Sequence, residues 1–382
     1  MTYDALRDLS ERGVSIYLDD ISRSRLENGD LQRLVEHHHV VGVTTNPAIF
    51  GKALADGTGY EETIRELALA EFRPTDALRL LTCKDVRDAA DLLAPVHEGT
   101  NGRDGWVSLE VNPFYAHDTQ ATVAEARLLH WMVGRKNVMM KVPATDAGIA
   151  AVTELVSHGI SVNVTVLFSL TRYRQAADAY MRGLLRAEKQ ARDLRTIRSV
   201  ASFYLARLDD AVDSELDAAG TEAAASLRGR VALAHARLAQ DTHDELRGSD
   251  MWRTLAGHRS GFSPQRLLWA STATKDDQYA DTRYVTRLAL PGSIITVPEE
   301  TLRATADHGV VPNDPPDADG SSARAVLQGL DRLGISLDTV ADRLEAQAVT
   351  GFQDAWQKIE NILASRMRAA CRGAASAGPC RG

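Results

Sequence analysis

Short apolar runs rich in β-branched residues alternate with longer amphipathic stretches along the whole chain. In those longer stretches, such as 119–133, 147–157 and 169–189, apolar residues recur at spacings of three and four, which is typical of helices. The shorter runs predict eight strands, over residues 14–19, 40–46, 106–111, 138–144, 161–168, 199–205, 267–272 and 293–298.

Eight strands separated by helices predict a parallel sheet that closes into a single (β/α)8 TIM barrel. A doubly wound open sheet is the structural alternative. It is less favoured because such a sheet more often has a glycine-rich turn after its first strand, whereas Asp19-Asp20-Ile21-Ser22 follows the first strand here.

Several segments extend the predicted barrel. Residues 47–105 and 206–266 form helical insertions after the second and sixth strands, and two helical stretches, 321–334 and 337–369, follow the last strand. The last stretch could fold back over the mouth of the barrel. We therefore expect one domain over residues 1–370, and a disordered tail over the small-residue segment 371–382.

Composition narrows the class of protein. The 382 residues are 44% hydrophobic and 25% charged, as in ordinary globular proteins, and the net charge of −8 argues against a nucleic-acid or anionic-membrane surface. No apolar run approaches the roughly 20 residues of a membrane helix, and the charged N-terminus does not resemble a signal peptide. The three cysteines lack metal-site spacing and are too few for a disulfide framework, so we expect a cytoplasmic protein.

Polar residues of the kind that catalysis uses end seven of the predicted strands. In a barrel these ends meet at one face, where active sites form. Asn163 lies two residues before one of them, Thr165, and therefore points the same way. The seven residues are Asp19, Asn46, Glu110, Lys141, Thr165, Ser202 and Ser271.

Lys141 lies in the apolar run Val138–Pro143 and is the most informative of these residues. Burial lowers the pKa of an amine, and a neutral amine can attack a carbonyl group to form a Schiff base. Structural readings remain open for each residue. Lys141 could be an ion-paired lysine with Glu110 as its partner, Asp19 could cap a helix, and Asn46 could serve only the turn before Pro47.

Six motifs resemble those of transaldolases of the longer bacterial type, over about residues 10–365. They are VGVTTNPAIF (41–50), VSLEVNP (107–113), MMKVPAT (139–145), ISVNVTVLFSLTRYRQ (160–175), SVASFYLARLD (199–209) and LLWASTATK (267–275). The resemblance implies a class I aldolase barrel that needs no metal or organic cofactor and acts on sugar phosphates.

The resemblance also implies a role for each site residue. Lys141 matches the Schiff-base lysine, Asp19 the general acid and base, and Glu110 with Thr165 the pair that holds the catalytic water. Residues matching substrate ligands are Asn46, Asn163 and Ser202 for hydroxyl groups, and Arg207, Ser271 and, as the nearest basic residue, Lys275 for phosphate.

Three positions depart from the family pattern. Asn112 stands where aspartate is frequent, and an arginine expected near the seventh strand is absent, so Lys275 replaces it only if its loop turns inward. Tyr204 stands where many transaldolases have phenylalanine and where the related fructose-6-phosphate aldolases have tyrosine. A phenol there could hydrogen-bond the catalytic water or Lys141 and favour simple aldol cleavage.

The sequence therefore predicts a transaldolase of the non-oxidative pentose phosphate pathway. It would transfer a dihydroxyacetone unit from fructose 6-phosphate or sedoheptulose 7-phosphate to erythrose 4-phosphate or glyceraldehyde 3-phosphate. One alternative is a fructose-6-phosphate aldolase-type lyase with the same lysine, and another is a non-catalytic sugar-phosphate-binding barrel. The sequence leaves a monomer and a homodimer both open.

Overall fold

Eight parallel strands close into one barrel in the computed structural model, which describes residues 3–257, 261–313 and 320–376. The strands follow one another around the barrel in chain order, and the last pairs with the first. This confirms the predicted (β/α)8 barrel. The strands are β1 Ser15–Leu18, β2 Val40–Val43, β3 Trp106–Glu110, β4 Val138–Pro143, β5 Val162–Leu167, β6 Ser199–Tyr204, β7 Arg266–Ala270 and β8 Ile294–Val297.

Helices separate most of the strands and fill both predicted insertions, residues 47–105 and 206–266. The helices of the described ranges are α1 Ala5–Glu11, α2 Arg23–Glu27, α3 Asp30–His37, α4 Pro47–Asp56, α5 Glu61–Leu69, α6 Pro74–Gly99, α7 Thr119–Val133, α8 Asp146–Ser157, α9 Leu170–Lys189, α10 Leu205–Ala219, α11 Glu222–Ala225, α12 Val231–Leu246, α13 Asp250–Gly257, α14 Arg283–Arg287, α15 Glu299–His308, α16 Ser321–Arg332 and α17 Leu337–Ser376, with 3-10 turns at Pro113–Tyr115 and Leu194–Thr196.

Capping residues start several helices within three residues of the strand before them. The side chains of Asn46, Thr145 and Ser169 each accept a hydrogen bond from a backbone N–H in the first turn of α4, α8 and α9. Loss of such a cap typically costs about 1 kcal/mol. These short connections hold the carboxyl ends of β2, β4 and β5 at fixed positions on one face of the barrel.

The opposite end of the barrel is closed by a large aromatic side chain. Tyr17 on β1 is 2% exposed, and its ring lies over Gly42 on β2. A Cβ atom on residue 42 would lie 2.5 Å from that ring. Glycine is therefore required at this position so that the tyrosine can cross the barrel interior.

The C-terminal helix α17 returns over the mouth of the barrel, as the sequence suggested. Gln353 on α17 donates a hydrogen bond to the carbonyl oxygen of Pro113 just after β3, and Glu345 pairs with Arg172 on α9. The domain boundary predicted at residue 370 falls inside α17, and residues 377–382 lie outside the described part of the chain. Over the described ranges, no helix is both long and apolar enough to cross a membrane.

Candidate active site

Lys141 and Glu110 form a buried ion pair at the carboxyl ends of two neighbouring strands. They are directly opposite one another in the register of β3 and β4. The Lys141 Nζ lies 2.9 Å from Glu110 Oε1 and donates a 2.6 Å hydrogen bond to the carbonyl oxygen of Thr45. Both side chains are less than one-tenth exposed. The structure thus brings together the proposed nucleophile and an acid that can exchange a proton with it.

The pKa of Lys141 is higher than that of an ordinary lysine. Burial lowers the pKa, but the negative charge of Glu110, with smaller contributions from Tyr204 and Asp19, raises it by more. The lowering of the pKa that burial alone predicts is therefore outweighed here by the ion pair with Glu110. The ion pair with Glu110 favours the protonated amine, which must give up a proton before it can attack a carbonyl carbon.

Asp19 follows β1 and is buried near the same ion pair. Burial raises the pKa of its carboxyl group, an effect that the positive charge of Lys141 and a hydrogen bond from Thr44 offset only in part. The neighbouring Asp20 turns away from the site and pairs with Arg25 at 2.8 Å. Asp19, and not its neighbour, is therefore the aspartate of this pair that acts on the charge of Lys141.

The turn after β2 contacts all three of these groups. The Thr44 hydroxyl donates to Asp19, the Thr45 hydroxyl donates to the Glu110 carboxylate, and the Thr45 carbonyl accepts from Lys141. Asn46 caps α4 by accepting a hydrogen bond from the Ile49 N–H at 3.1 Å. Sequence reasoning assigned a role only to Asn46 in this turn. The signal that it passed over was the pair of threonines directly before that residue.

A second set of polar side chains is linked across β3, β5 and β6. The Ser202 hydroxyl donates a 2.6 Å hydrogen bond to Asn163 Oδ1, and Asn163 Nδ2 donates to the Ser108 hydroxyl at 3.0 Å. All three side chains are almost fully buried. The two predicted substrate ligands therefore meet, and Ser108 is a partner that the sequence pattern did not reveal.

Thr165 and Tyr204 are in direct contact, since their hydroxyl oxygens lie 3.1 Å apart. Directly after Thr165, the register of β5 shifts and Val166 adopts a φ of 65°. This left-handed backbone is strained for a β-branched residue, and such strain persists only where the surrounding fold imposes it. The irregularity lies beside the residue that is predicted to hold the catalytic water.

The predicted phosphate ligands differ in their surroundings. Arg207 on α10 is half-buried, forms no ion pair within the described ranges, and places its guanidinium 5.4 Å from the centre of the Tyr204 ring. Ser271 accepts a hydrogen bond through its carbonyl from the Ala206 N–H, so it lies beside the start of α10. Lys275 is 70% exposed and pairs with Asp210 at 3.4 Å.

Helix α17 contributes residues to the site that the sequence did not single out. Val349 and Phe352 line a small cavity together with Glu110, Lys141 and Thr165. The Phe352 ring also lies 5.9 Å from the Arg207 guanidinium. In the part of the chain that the structure describes, no group of three His, Cys, Asp or Glu side chains could hold a metal ion.

The chain is similar to known proteins over nearly its whole length. A family model described as Transaldolase/Fructose-6-phosphate aldolase matches residues 16–363. The chain is 50% identical over 367 residues to "Transaldolase 1" of Streptomyces avermitilis, covering 96% of this chain and 97% of that protein. It is 48% identical over 356 residues to "Transaldolase 2" of Streptomyces coelicolor (93% and 95% covered) and 48% identical over 364 residues to the transaldolase of Thermobifida fusca (95% and 98% covered).

Proposed function

The chain belongs to the transaldolase/fructose-6-phosphate aldolase family and has the activity of a transaldolase, and we propose that Lys141 carries this activity as a Schiff base. The observation that supports this role most directly is the buried Lys141–Glu110 ion pair at 2.9 Å, with Asp19 close enough to influence the same amine. It unites a nucleophile and two carboxyl groups at the face where barrel active sites form.

The first step requires the proton of Lys141 to move to Glu110. Oε1 of Glu110 lies 2.9 Å from the amine nitrogen and has no other polar partner among the described residues, so this oxygen can take that proton. The neutral amine then attacks the C2 carbonyl carbon of a ketose phosphate. Glu110, through a water held by Thr165, returns a proton to the new C2 hydroxyl, which leaves as water and gives the iminium ion.

The iminium ion accepts the electron pair of the C3–C4 bond as that bond breaks. Asp19 takes the proton of the C4 hydroxyl, and the aldehyde product leaves. A three-carbon enamine stays bound to Lys141 until its C3 attacks the aldehyde carbon of an acceptor, to which Asp19 returns the proton. Hydrolysis of the new iminium ion frees the lysine. The substrate pairs are those of the non-oxidative pentose phosphate pathway.

Substrate binding involves residues at the other strand ends. Asn46, Asn163 and Ser202 would contact sugar hydroxyl groups, and Arg207 with Ser271 would bind the phosphate group. Arg207 has the stronger support because it is a half-buried cation without an ion-pair partner in the described residues. Lys275 has weaker support, since it is exposed and already pairs with Asp210.

Residues up to about 370 would act as one catalytic domain, in which α17 forms part of the site. A cytoplasmic location suits phosphorylated sugar substrates and a chain with three cysteines. The oligomeric state, monomer or homodimer, stays a prediction.

A second candidate activity is simple aldol cleavage. The Tyr204–Thr165 contact supports it, because a phenol within reach of the catalytic water could deliver a proton to the enamine. Protonation at C3, followed by hydrolysis, would release dihydroxyacetone. Transfer remains the main activity that we propose, since the named relatives are transaldolases.

Product analysis tests this proposal. Fructose 6-phosphate is incubated with the enzyme in the presence or absence of erythrose 4-phosphate, and sedoheptulose 7-phosphate, glyceraldehyde 3-phosphate and dihydroxyacetone are quantified. Transfer predicts that sedoheptulose 7-phosphate forms only with the acceptor, and that without it glyceraldehyde 3-phosphate stops at about one equivalent per active site. Equal release of dihydroxyacetone with and without acceptor would instead identify a lyase.

A further inference from the structure

A larger cavity lies at the opposite end of the barrel from Lys141. Its volume is about 540 Å³, which is within the range of small-molecule sites. It is lined by the first residues of β3, β6 and β7, which are Trp106, Ser199 and Arg266, and by Ser293 just before β8. We call it the basal cavity. Since the strands are parallel, it is separated from the proposed active site by the length of the barrel.

The lining of the basal cavity is positively charged although the whole chain is acidic. It includes Arg103, Arg198, Arg247 and Arg266 but only one carboxylate, that of Asp244, in a chain of net charge −8. Positive charge gathered around a concave site attracts anionic ligands.

Two of these arginines have no carboxylate partner in the described ranges. Arg198 donates hydrogen bonds to the backbone carbonyl oxygens of residues 195, 197 and 101, and to no side chain of a described residue. Arg247 lies over the ring of Trp252, with 5.8 Å from its guanidinium carbon to the ring centre. Arg266, in contrast, forms an ion pair with Asp104 at 2.9 Å, so we assign it a structural role.

The floor of the basal cavity is apolar except for one hydroxyl group. Tyr17, Trp106, Met139 and Leu267 form it, and each is at most 2% exposed. The Tyr17 hydroxyl is fully buried and has no hydrogen-bond partner in the described part of the chain. A buried hydroxyl without a partner is destabilising, so a ligand that accepts or donates a hydrogen bond there would bind more tightly.

We propose that the basal cavity binds a small organic phosphate. Its phosphate group lies between Arg198 and Arg247, because each guanidinium group can donate two parallel hydrogen bonds to phosphate oxygens. Its flat or apolar body packs on Trp106, and one of its polar atoms reaches the Tyr17 hydroxyl. Inorganic phosphate alone would satisfy the arginines but would leave the aromatic floor and that hydroxyl without a partner.

Isothermal titration calorimetry with AMP tests this proposal, because AMP carries both a phosphate group and a flat aromatic body. Adenosine and inorganic phosphate serve as the two partial probes. We expect saturable binding of AMP at one site, with each partial probe binding at least tenfold more weakly. Arg247→Gln and Arg198→Gln should each weaken AMP binding about tenfold, the effect of one charge-assisted hydrogen bond. Tyr17→Phe should weaken it a few-fold.

Control variants distinguish the basal cavity from the active site. Arg73→Gln changes an arginine that is exposed and far from the cavity lining, and it should leave AMP affinity unchanged. Arg207→Gln and Lys141→Ala should also leave it unchanged, because both residues lie at the other end of the barrel. Arg247 is exposed, so its variant should keep the wild-type melting temperature even if the Arg198 variant does not.

Three results would overturn the proposal. The first is no saturable heat with AMP at millimolar concentration on folded wild-type enzyme. The second is wild-type affinity in the folded Arg247→Gln variant. The third is loss of AMP binding in Arg207→Gln alone, which would place AMP at the active site. These outcomes leave the proposed Schiff-base chemistry untouched, since none of them depends on Lys141.

Discussion

The Thr44 hydroxyl donates a 2.8 Å hydrogen bond to the carboxylate of Asp19, and the hydroxyl of Thr296 on β8 lies 2.5 Å from that of Thr44. Two buried threonines thus orient the proposed acid and base from the neighbouring strands. Burial raises the pKa of Asp19, and this hydrogen bond lowers it by a smaller amount. Thr44 is therefore a positioning residue with an effect that can be measured.

Thr44→Val should impair catalysis through Asp19. Loss of the hydrogen bond raises the pKa of Asp19 further, so a smaller fraction of the carboxyl group is ionised at any given acidic pH. We expect kcat to fall about tenfold and the acid side of its pH profile to move to higher pH. Thr305→Val, at a buried threonine of α15, is the matched control. If kcat falls but the acid side of its pH profile stays where it is in the wild type, Thr44 does not act through the pKa of Asp19.

Glu110→Gln should lower the pKa of Lys141 while it slows turnover. The charge of Glu110 is the largest contribution that raises this pKa, and its loss leaves the lowering effect of burial less opposed. Reductive methylation of Lys141, followed by peptide mass spectrometry across a pH series, should therefore show a titration midpoint at lower pH. Turnover should fall about 10²- to 10⁴-fold because the proton acceptor is lost.

Glu98→Gln is the matched control for that experiment, because Glu98 and Lys136 form an ion pair at 3.0 Å that is exposed to solvent. This variant should change neither turnover nor the methylation of Lys141. An unchanged midpoint for Lys141 in Glu110→Gln would show that the ion pair does not control protonation of the amine.

Tyr204→Phe should shift the enzyme toward transfer. The phenol contacts Thr165 at 3.1 Å, and its removal takes away a proton donor that could quench the enamine. We expect less dihydroxyacetone released from fructose 6-phosphate alone, relative to the rate with erythrose 4-phosphate. Tyr173→Phe, which changes a buried tyrosine packed on Phe203, is the control. An unaltered ratio of the two rates would exclude the phenol from the lysis reaction.

His235→Leu should make stability less sensitive to acid. Burial lowers the pKa of His235 from 6.5 to about 4, and neither ring nitrogen has a hydrogen-bond partner in the described residues. Because the unfolded chain binds the proton first, this histidine removes stability as the pH falls from 6.5 toward 4. The loss amounts to about 2 to 3 kcal/mol.

Urea unfolding measured across that pH range checks this prediction. The free energy of unfolding of His235→Leu should fall less steeply with pH than that of the wild type. His37→Gln, at a histidine that is 69% exposed, should follow the wild-type curve. Parallel curves for the wild type and His235→Leu would show that His235 is not buried in its neutral form.

The strands could be predicted from sequence because a parallel barrel buries both faces of each strand, which leaves continuous apolar runs. β4 is one example, since all six of its residues are buried. The ends of those runs also identified the residues that meet at the catalytic face. Their common location follows from parallel strands alone, so it required no knowledge of side-chain contacts.

Three features could not be predicted, because they depend on contacts between distant segments. Thr44 and Thr45 have their roles because they contact Asp19 after β1 and Glu110 on β3. The order of residues along the chain does not show these contacts. The charge of Lys141 depends on its register with Glu110, although that pairing was an open alternative. The position of Lys275 depends on the direction of a loop, which places its side chain at the surface against Asp210.

Borohydride trapping with fructose 6-phosphate tests the central role of Lys141 most directly. Intact-mass and peptide analysis should find a three-carbon adduct on Lys141, which erythrose 4-phosphate discharges if it is added before the borohydride. Asp19→Asn should instead trap the uncleaved six-carbon sugar, and Lys141→Ala should trap nothing. Absence of an adduct on folded wild-type enzyme, or an adduct on another lysine, would contradict the assignment of Lys141 as the Schiff-base residue.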